Sequence, residues 1–257
     1  MMKIKRKVLS ILMITFVMSL ISVFYYSVYA NNTIIPEVNM TFGAADSPVE
    51  VTNSMKILFL LTIISLAPSI LIMMTSFTRI LIVLHFLRSA LGTQQTPPNQ
   101  IIIGLALFLT LFIMNPVLAD INENAIKPFN EGKITQEKAI DVGMKPLKNF
   151  MLKQTYEKDL ALFMNISGTA KVESAELLPA TVIIPAFIIS ELKKGFMIGF
   201  IIYIPFLVID MIVSSTLMAM GMMMLPPVMI SLPFKLLLFV MVDGWNLIVG
   251  QIVQSFR

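Results

Sequence analysis

Residues 177–220 read LLPATVIIPAFIISELKKGFMIGFIIYIPFLVIDMIVSSTLMAM, and this stretch determines the fold class. It is much longer than the roughly 20 apolar residues that cross a bilayer as one helix, and prolines interrupt it. It carries few charges, so it favours burial in lipid or in an apolar assembly over exposure to water. One interpretation ends a first helix at residue 194 and begins a second at 195; the other merges the two.

The composition of the whole chain agrees with a membrane-associated protein. Of the 257 residues, 57% are hydrophobic and 13% are charged, whereas soluble domains have roughly 45–50% and about 25%. This balance excludes a disordered chain and a water-soluble globule. The chain has no cysteine and one histidine, and the common hydrolase and nucleotide-binding motifs are absent. We therefore predict no catalytic residues, no cofactor and no metal site.

The excess positive charge lies at the beginning of the chain. Residues 1–30 hold four of the 19 basic residues and none of the 15 acidic ones, so their removal would leave equal numbers of both. Basic residues, an apolar run over 8–24 and Val28-Tyr29-Ala30 have the form of a secretory signal peptide. An uncleaved first membrane helix is the alternative. In both cases a nucleic-acid partner, which needs a basic folded surface, is not supported.

The rest of the chain divides by composition into four parts. Residues 31–53 form a short extracytoplasmic leader, and 54–119 form a first helical hairpin. Residues 120–176 are a polar, extracytoplasmic helical region, and 177–257 are broken helices with a methionine-rich loop. We predict an all-α fold of hydrophobic, proline-broken helical hairpins.

Individual helices follow from the positions of prolines and glycines. The first apolar run, 55–91, contains Pro68 and is expected to kink there. In the polar region the pattern predicts helices around 135–143 and 147–163. Four apolar residues of the second, Leu147, Phe150, Met151 and Leu152, are expected to pack inward. The last helix is expected over 233–256.

Charged residues inside the apolar segments are the first candidate functional residues. No acidic residue occurs between Glu50 and Asp120, so Arg79 and Arg88 need distant partners. The two arginines lie on opposite sides of an ideal helix. We predict inter-helix or intersubunit pairing for a set of six residues: Arg79, Arg88, Glu191, Lys193, Lys235 and Asp243. For Arg88 and for Lys194, snorkelling to water from a helix end is the alternative.

Methionines are the second candidate. The chain has 21 of them, and Met222, Met223 and Met224 lie between Gly221 and two prolines, where a helix should end. Methionine side chains are flexible, so a ring of them could close tightly and still yield to a passing chain. The alternative is that methionine replaces leucine on a surface that faces lipid.

Several segments resemble the FliP family of flagellar type III export-gate proteins. The segments are PAFIISELKKGFMIGF at 185–200, PFKLLLFVMVDGW at 233–245, TSFTR at 75–79, LGTQQTPPNQ at 91–100 and the triple methionine. The resemblance extends over nearly all of the chain after the signal peptide, and residues 120–176 are its least distinctive part. One departure is Met197, where the family usually has a polar or charged residue.

The resemblance implies a pore-forming ring and not an enzyme. It implies five copies assembled with FliQ and FliR into the gate for unfolded flagellar subunits, and work with FlhA and FlhB. It places the protein in the inner membrane at the flagellar basal body, with its helices mostly on the extracytoplasmic side. By the same resemblance, Met222, Met223 and Met224 form the gasket of the closed pore, and Trp245 packs at an interface.

Two other classes of function stay open from the residues alone. A small ion or solute transporter could use Asp210 and Glu191 as carriers, although no internal repeat of broken helices is found. An intramembrane aspartyl protease could use Asp210 and Asp243, although their flanking residues do not form a recognisable site.

Overall fold

The computed structural model describes residues 48–93, 95–169, 174–222 and 224–256. The predicted signal peptide at 1–30 and most of the leader at 31–53 lie outside these ranges. The chain divides into two units, Met1–Lys56 and Ile57–Arg257, and the contacts that follow lie in the second. All regular elements of the described residues are helices, which confirms the all-α prediction.

Nine α-helices follow one another in the described ranges. They are α1 (Pro48–Met74), α2 (Phe77–Leu91), α3 (Asn99–Ile121), α4 (Lys127–Asn130), α5 (Gln136–Gln154), α6 (Glu157–Ser167), α7 (Ala180–Ala219), α8 (Pro227–Met241) and α9 (Gly244–Gln254). A π-helical turn joins α3 to α4, and a short 3-10 turn precedes α7. The helix lengths are those of a membrane protein rather than of a soluble bundle.

The break in the first apolar segment lies after Pro68. Helix α1 runs through that proline, and α2 turns away from it by 69° beyond Met74. Hydroxyl groups explain the position of the break: Thr75 donates to the carbonyl of Leu71, and Thr78 Oγ1 donates to Ile72 O at 2.6 Å. These hydroxyls satisfy carbonyls next to the break. The bend of 69° therefore lies beyond Met74, and the kink at Pro68, which is inside α1, stays a prediction.

The C-terminal segment agrees with one predicted helix and differs from another. Helix α7 continues without interruption through Pro185 and Pro205, which agrees with the merged interpretation of this stretch. In contrast, the last predicted helix is two helices, α8 and α9, which are bent by 66°. The bend lies at Asp243, whose φ of 49° is left-handed and incompatible with a continuing helix.

The core forms where α2 packs against α7. One side of α2 is buried with residues of four other helices: Ile80, Val83, Leu84, Leu87, Ile102, Ala106, Phe206, Phe239, Ile248 and Ile252. Glycines on α7 allow the close approach, because a methyl group on Gly199 would lie 2.5 Å from Phe86 Cγ. A methyl group on Gly195 would lie 3.1 Å from Ile82. Small residues at such positions let two helix backbones come close.

The polar region supplies a second, smaller core. Helix α5 is continuous across Pro146, so the expected separation into helices around 135–143 and 147–163 is wrong. Met151 on α5 is fully buried against Phe187 of α7. The other three residues expected to pack inward are partly buried in the same cluster, as predicted. The two cores share α7, which therefore connects the polar region to α2.

Two continuous helical segments are long and apolar enough to cross a membrane. They are Asn99–Asn130 and Ala180–Ala219. The bent pairs Ile64–Met74 with Phe77–Leu91, and Pro227–Met241 with Gly244–Gln254, raise the number to four if each pair acts as one span. Large apolar side chains on these helices stay exposed in a single chain, so lipid or other chains must cover them.

Candidate pore loop and buried charge clusters

The methionine loop, residues 221–226, joins α7 to α8. Helix α7 ends at Ala219, and Gly221 adopts a φ of 75°, which favours glycine and turns the chain. Met222 is 39% exposed and Met224 is 98% exposed. Met223 lies outside the described residues. The loop thus presents Met224 almost fully, and Met222 in part, to its surroundings.

Arg79 on α2 is the centre of a buried polar group that we call the Arg79 cluster. Its other members are Glu191 on α7, Gln154 on α5, and Ser255 and Phe256 after α9. Arg79 is 1% exposed and Glu191 is fully buried. The cluster joins four segments that are far apart in the sequence.

All five N–H groups of Arg79 are used. Nε and Nη2 donate to the two carboxylate oxygens of Glu191, at 3.0 Å for the Nε bond. Nη2 also donates to Gln154 Oε1 at 2.8 Å, and Nη1 donates to Ser255 O at 2.8 Å and Oγ at 3.1 Å. The guanidinium carbon lies 3.8 Å from the centre of the Phe256 ring. Since removal from water is tolerated only when such groups are satisfied, this arrangement allows the charge to be buried.

Gln154 connects this cluster to Lys194. Its amide Nε2 donates to Phe256 O at 3.2 Å, and Lys194 Nζ donates to Gln154 O at 2.8 Å and Oε1 at 3.1 Å. The same ammonium lies 5.1 Å from the centre of the Tyr156 ring. Lys194 therefore interacts with the polar region instead of only extending to water.

Lys193 pairs with Asp159 on α6. Ser190 Oγ donates to Asp159 Oδ2 at 2.8 Å and accepts from the backbone N–H of Tyr156 at 3.0 Å. Burial raises the pKa of Asp159, but hydrogen bonds from Lys193 and Ser190 and the Lys193 charge hold the pKa below its ordinary value. This carboxylate is thus ionised near neutral pH and fixes α6 to α7.

Lys235 on α8 is buried, with 2% of it exposed. Its Nζ donates to Asp210 Oδ2 on α7 at 2.6 Å and to Ala90 O near the end of α2 at 3.1 Å. Ser231 Oγ donates to the other oxygen of Asp210 at 2.5 Å. The ammonium therefore neutralises a carboxylate and also interacts with the negative end of α2.

Arg88 and Asp243 have a different environment. Arg88 is half-buried and donates to Asn99 Oδ1 at 2.6 Å and Pro97 O at 3.4 Å, with His85 Nδ1 at 3.1 Å. It contacts no carboxylate among the described residues. Asp243 is exposed at the bend between α8 and α9, and its carboxylate makes no ion pair within those residues. Their pairing stays a prediction.

Trp245 and Met197, which the sequence analysis also named, lie at the surface of this chain. Trp245 on α9 is partly exposed and packs edge-on against Phe239, with ring centres 5.5 Å apart. Met197 on α7 is exposed. Across the described ranges, no three His, Asp or Glu side chains come close enough to hold a metal ion.

Sequence reasoning missed three partners in these clusters. Gln154 and Asp159 lie in the polar region, where a polar side chain normally faces water, and Ser255 accepts partly through its backbone. The available signal was the number of cations in the apolar helices, which exceeded the acidic partners named for them.

Comparison with known proteins shows which family the chain resembles. The FliP family model matches residues 60–252. Flagellar biosynthetic protein FliP of Bacillus subtilis is 58% identical over 215 residues, covering 84% of this chain and 97% of that protein. FliP of Pectobacterium carotovorum is 54% identical, covering 80% of each chain, and FliP of Aquifex aeolicus is 46% identical, covering 87% and 92%.

Proposed function

Because this chain belongs to the FliP family and is a non-enzymatic component of the flagellar export apparatus, we propose that it forms the pore of the export gate. Five copies assemble into a ring with FliQ and FliR, and the ring works with FlhA and FlhB. It lies in the inner membrane at the flagellar basal body, mostly on the extracytoplasmic side. Unfolded flagellar subunits pass through it.

The observation that carries this proposal is the exposure of the methionine loop. Met224 is 98% exposed although its side chain is apolar, and the loop lies between the ends of two long apolar helices. In a ring, each copy would place this loop beside the loops of its neighbours. The apolar side chains would then cover one another at the centre.

Methionine suits a gate that opens for a protein chain. Its unbranched side chain has three rotatable bonds and a polarizable sulfur, so it fills irregular gaps and adapts to different neighbours. A ring of Met222, Met223 and Met224 from several copies can seal the pore against ions when it is empty. The same side chains can move aside around the varied side chains of an unfolded subunit.

Exposed apolar side chains on α7 and α8 support assembly into a ring. Six of the large ones are Phe196, Phe200, Ile201, Ile204, Phe234 and Leu237. Three ion pairs, Arg79–Glu191, Lys193–Asp159 and Lys235–Asp210, form within the chain, and each has at least one buried partner. Association of copies can therefore bury the apolar faces without exposing these charges to lipid.

The carboxylates that a transporter would need are already engaged. Glu191 is held by Arg79 and Asp210 by Lys235, so each carboxylate has a fixed cation within the chain. A carrier site has to release and rebind its ion, and the fully buried, bidentate pair of Glu191 with Arg79 does not favour that cycle. The pore is the function that agrees with both the loop and these pairs.

Deletion of residues 222–224 tests the gasket. We expect the ring to assemble but to leak ions and small solutes, measured as dye or ion flux in vesicles that contain the complex. The matched control is Met197→Ala on α7, which removes an exposed methionine outside the loop and should leave the flux unchanged. An intact ring that leaks no more than the wild type would contradict the gasket assignment.

A further inference from the structure

Arg88 has donors that the described chain does not use. A guanidinium group has five N–H donors. Three of them have acceptors on Pro97, Asn99 and His85, which leaves the Nε–H and one Nη2–H without an acceptor in the described ranges. Two such donors match the two oxygens of a carboxylate. The side chain is therefore held in place and still able to bind an anion.

The surroundings of Arg88 favour an anionic partner in the assembled state. Arg88 borders an apolar cavity of about 230 Å³, whose walls include Leu84, Ile102 and Trp245. A neighbouring copy or lipid that covers this apolar surface would remove water from the guanidinium. A charge in such a place is costly unless it is paired with an opposite charge or backbone carbonyls, or reaches water.

Asp243 is the complementary group. Among the charged residues of α2, α7, α8 and the bend before α9, it is the carboxylate that makes no ion pair with a described residue. Its left-handed backbone places it at the corner between α8 and α9, and it is exposed there. It does not cap α9 with its side chain. The corner thus presents a free carboxylate.

From these observations we propose that Asp243 of one copy pairs with Arg88 of the next copy around the ring. This inference rests on the proposed function, since it needs a ring. Rotation about a ring axis keeps every atom at the same height, so residues that pair between copies must lie at one level. Trp245, two residues after Asp243, lines the cavity that Arg88 borders, so Arg88 and Asp243 lie in the same part of the chain, as this condition favours.

Cysteine cross-linking tests the contact directly, because the chain contains no cysteine. Full-length chains carrying Arg88→Cys with one tag and Asp243→Cys with another are co-expressed, extracted from membranes and oxidised. We expect a disulfide-linked dimer that carries both tags. The double variant R88C/D243C should give a ladder of linked copies. A band at the size of a single chain with an internal disulfide would instead assign the two residues to one copy and overturn the proposal.

Charge reversal provides a second readout that separates the pair from the ring. The single variants Arg88→Glu and Asp243→Arg should lower the fraction of chain in the ring at least about tenfold, as the loss of one partner of a buried ion pair does. The double variant should restore the ring to near the wild-type level. Lys133→Glu, in an exposed pair with Glu131, is the matched control and should have no effect.

The outcomes distinguish the two proposals. If the wild-type chain forms no ring in native mass measurements with FliQ and FliR, the proposed ring is wrong. If the wild type and both single reversals form rings equally well, or the double variant is no better than either single, the ring stands and the Arg88–Asp243 pair is wrong. In the second case a bound anionic lipid, detected as a mass adduct that R88E loses, would identify the partner as lipid.

Discussion

Two arginines on helix α2 have different environments, although they are only nine positions, or about two and a half turns, apart. Arg79 is buried and all five of its N–H groups have acceptors, two of them on Glu191. Arg88 is half-buried, uses three of the five and meets no carboxylate in the described ranges. Within the described residues, one side of α2 thus has all its polar groups satisfied and the other side does not.

The difference teaches how a membrane protein can separate folding from assembly. Groups that must be buried in every state are satisfied by the chain itself, as Arg79 is by the residues of its cluster. Groups that become buried only on association can keep donors free, as Arg88 does. The same separation applies to apolar side chains, since those between α2 and α7 are covered and many on the remaining surface of α7 are not.

Arg79→Ala should produce the largest loss of stability. It leaves the buried Glu191 without its cation, which destabilises proteins by about 3–5 kcal/mol. Chemical unfolding of the purified chain in mild detergent measures the change. The double variant R79M/E191L should be less destabilised than R79A, because no unpaired charge remains. Equal stability of R79A and the wild type would remove the distinction between the two arginines.

Arg79→Lys should have a smaller effect on the same measurement. Lysine keeps the charge but has three donors in place of five, so at least two acceptors on Gln154 or Ser255 lose a bond. We expect a loss of about 1–3 kcal/mol. Arg88→Lys is the control and should be unchanged within about 0.5 kcal/mol, since its contacts are fewer and partly exposed.

Asp159→Asn tests the ion pair at the edge of the polar region through its pH dependence. The folded pKa of Asp159 lies below its unfolded value, so its ionised form contributes stability above about pH 4. This contribution is lost as the pH falls through the folded pKa. We expect the wild type to exceed the variant by about 1 kcal/mol at pH 7, and the difference to shrink below pH 4. A difference that stays constant down to pH 2 would contradict this ionisation.

Arg88→Gln should have a small effect on the stability of a single chain, below about 1 kcal/mol. Its contacts to Asn99 and His85 are at the edge of α2 and partly open to water. Thermal unfolding of the monomeric fraction measures this value. A loss of stability as large as that of R79A would mean that Arg88, like Arg79, is held by partners in its own chain. It would contradict the difference drawn between the two arginines.

Hydropathy and residue spacing predicted the features of this protein that depend on local sequence. The all-helical class, the polar region and the need of Arg79 for a distant partner follow from runs of apolar residues and from missing acids. The motifs at 185–200 and 233–245 also predicted the family, which the comparisons confirm, and the relatives cited are flagellar.

Features that depend on long-range geometry could not be predicted in the same way. The position of the first bend depends on which carbonyls the hydroxyls of Thr75 and Thr78 reach, and Pro68 has a stronger signal in the sequence. Gln154 and Asp159 look solvated because their neighbours in the sequence are polar. Their burial follows from the packing of α5 and α6 against α7, which no local pattern contains.

The Arg79 cluster also has a consequence for biosynthesis, because its members are synthesised at different times. Arg79 and the Ser255 carbonyl that accepts its hydrogen bond are 176 residues apart in the chain. At ribosomal rates of about 5–20 residues per second, roughly 10 to 35 seconds pass between the synthesis of the two. Glu191, the carboxylate partner of Arg79, is made earlier in that interval, so the charge can be paired before the cluster is complete, and all its hydrogen bonds can form only after residue 255 has been made.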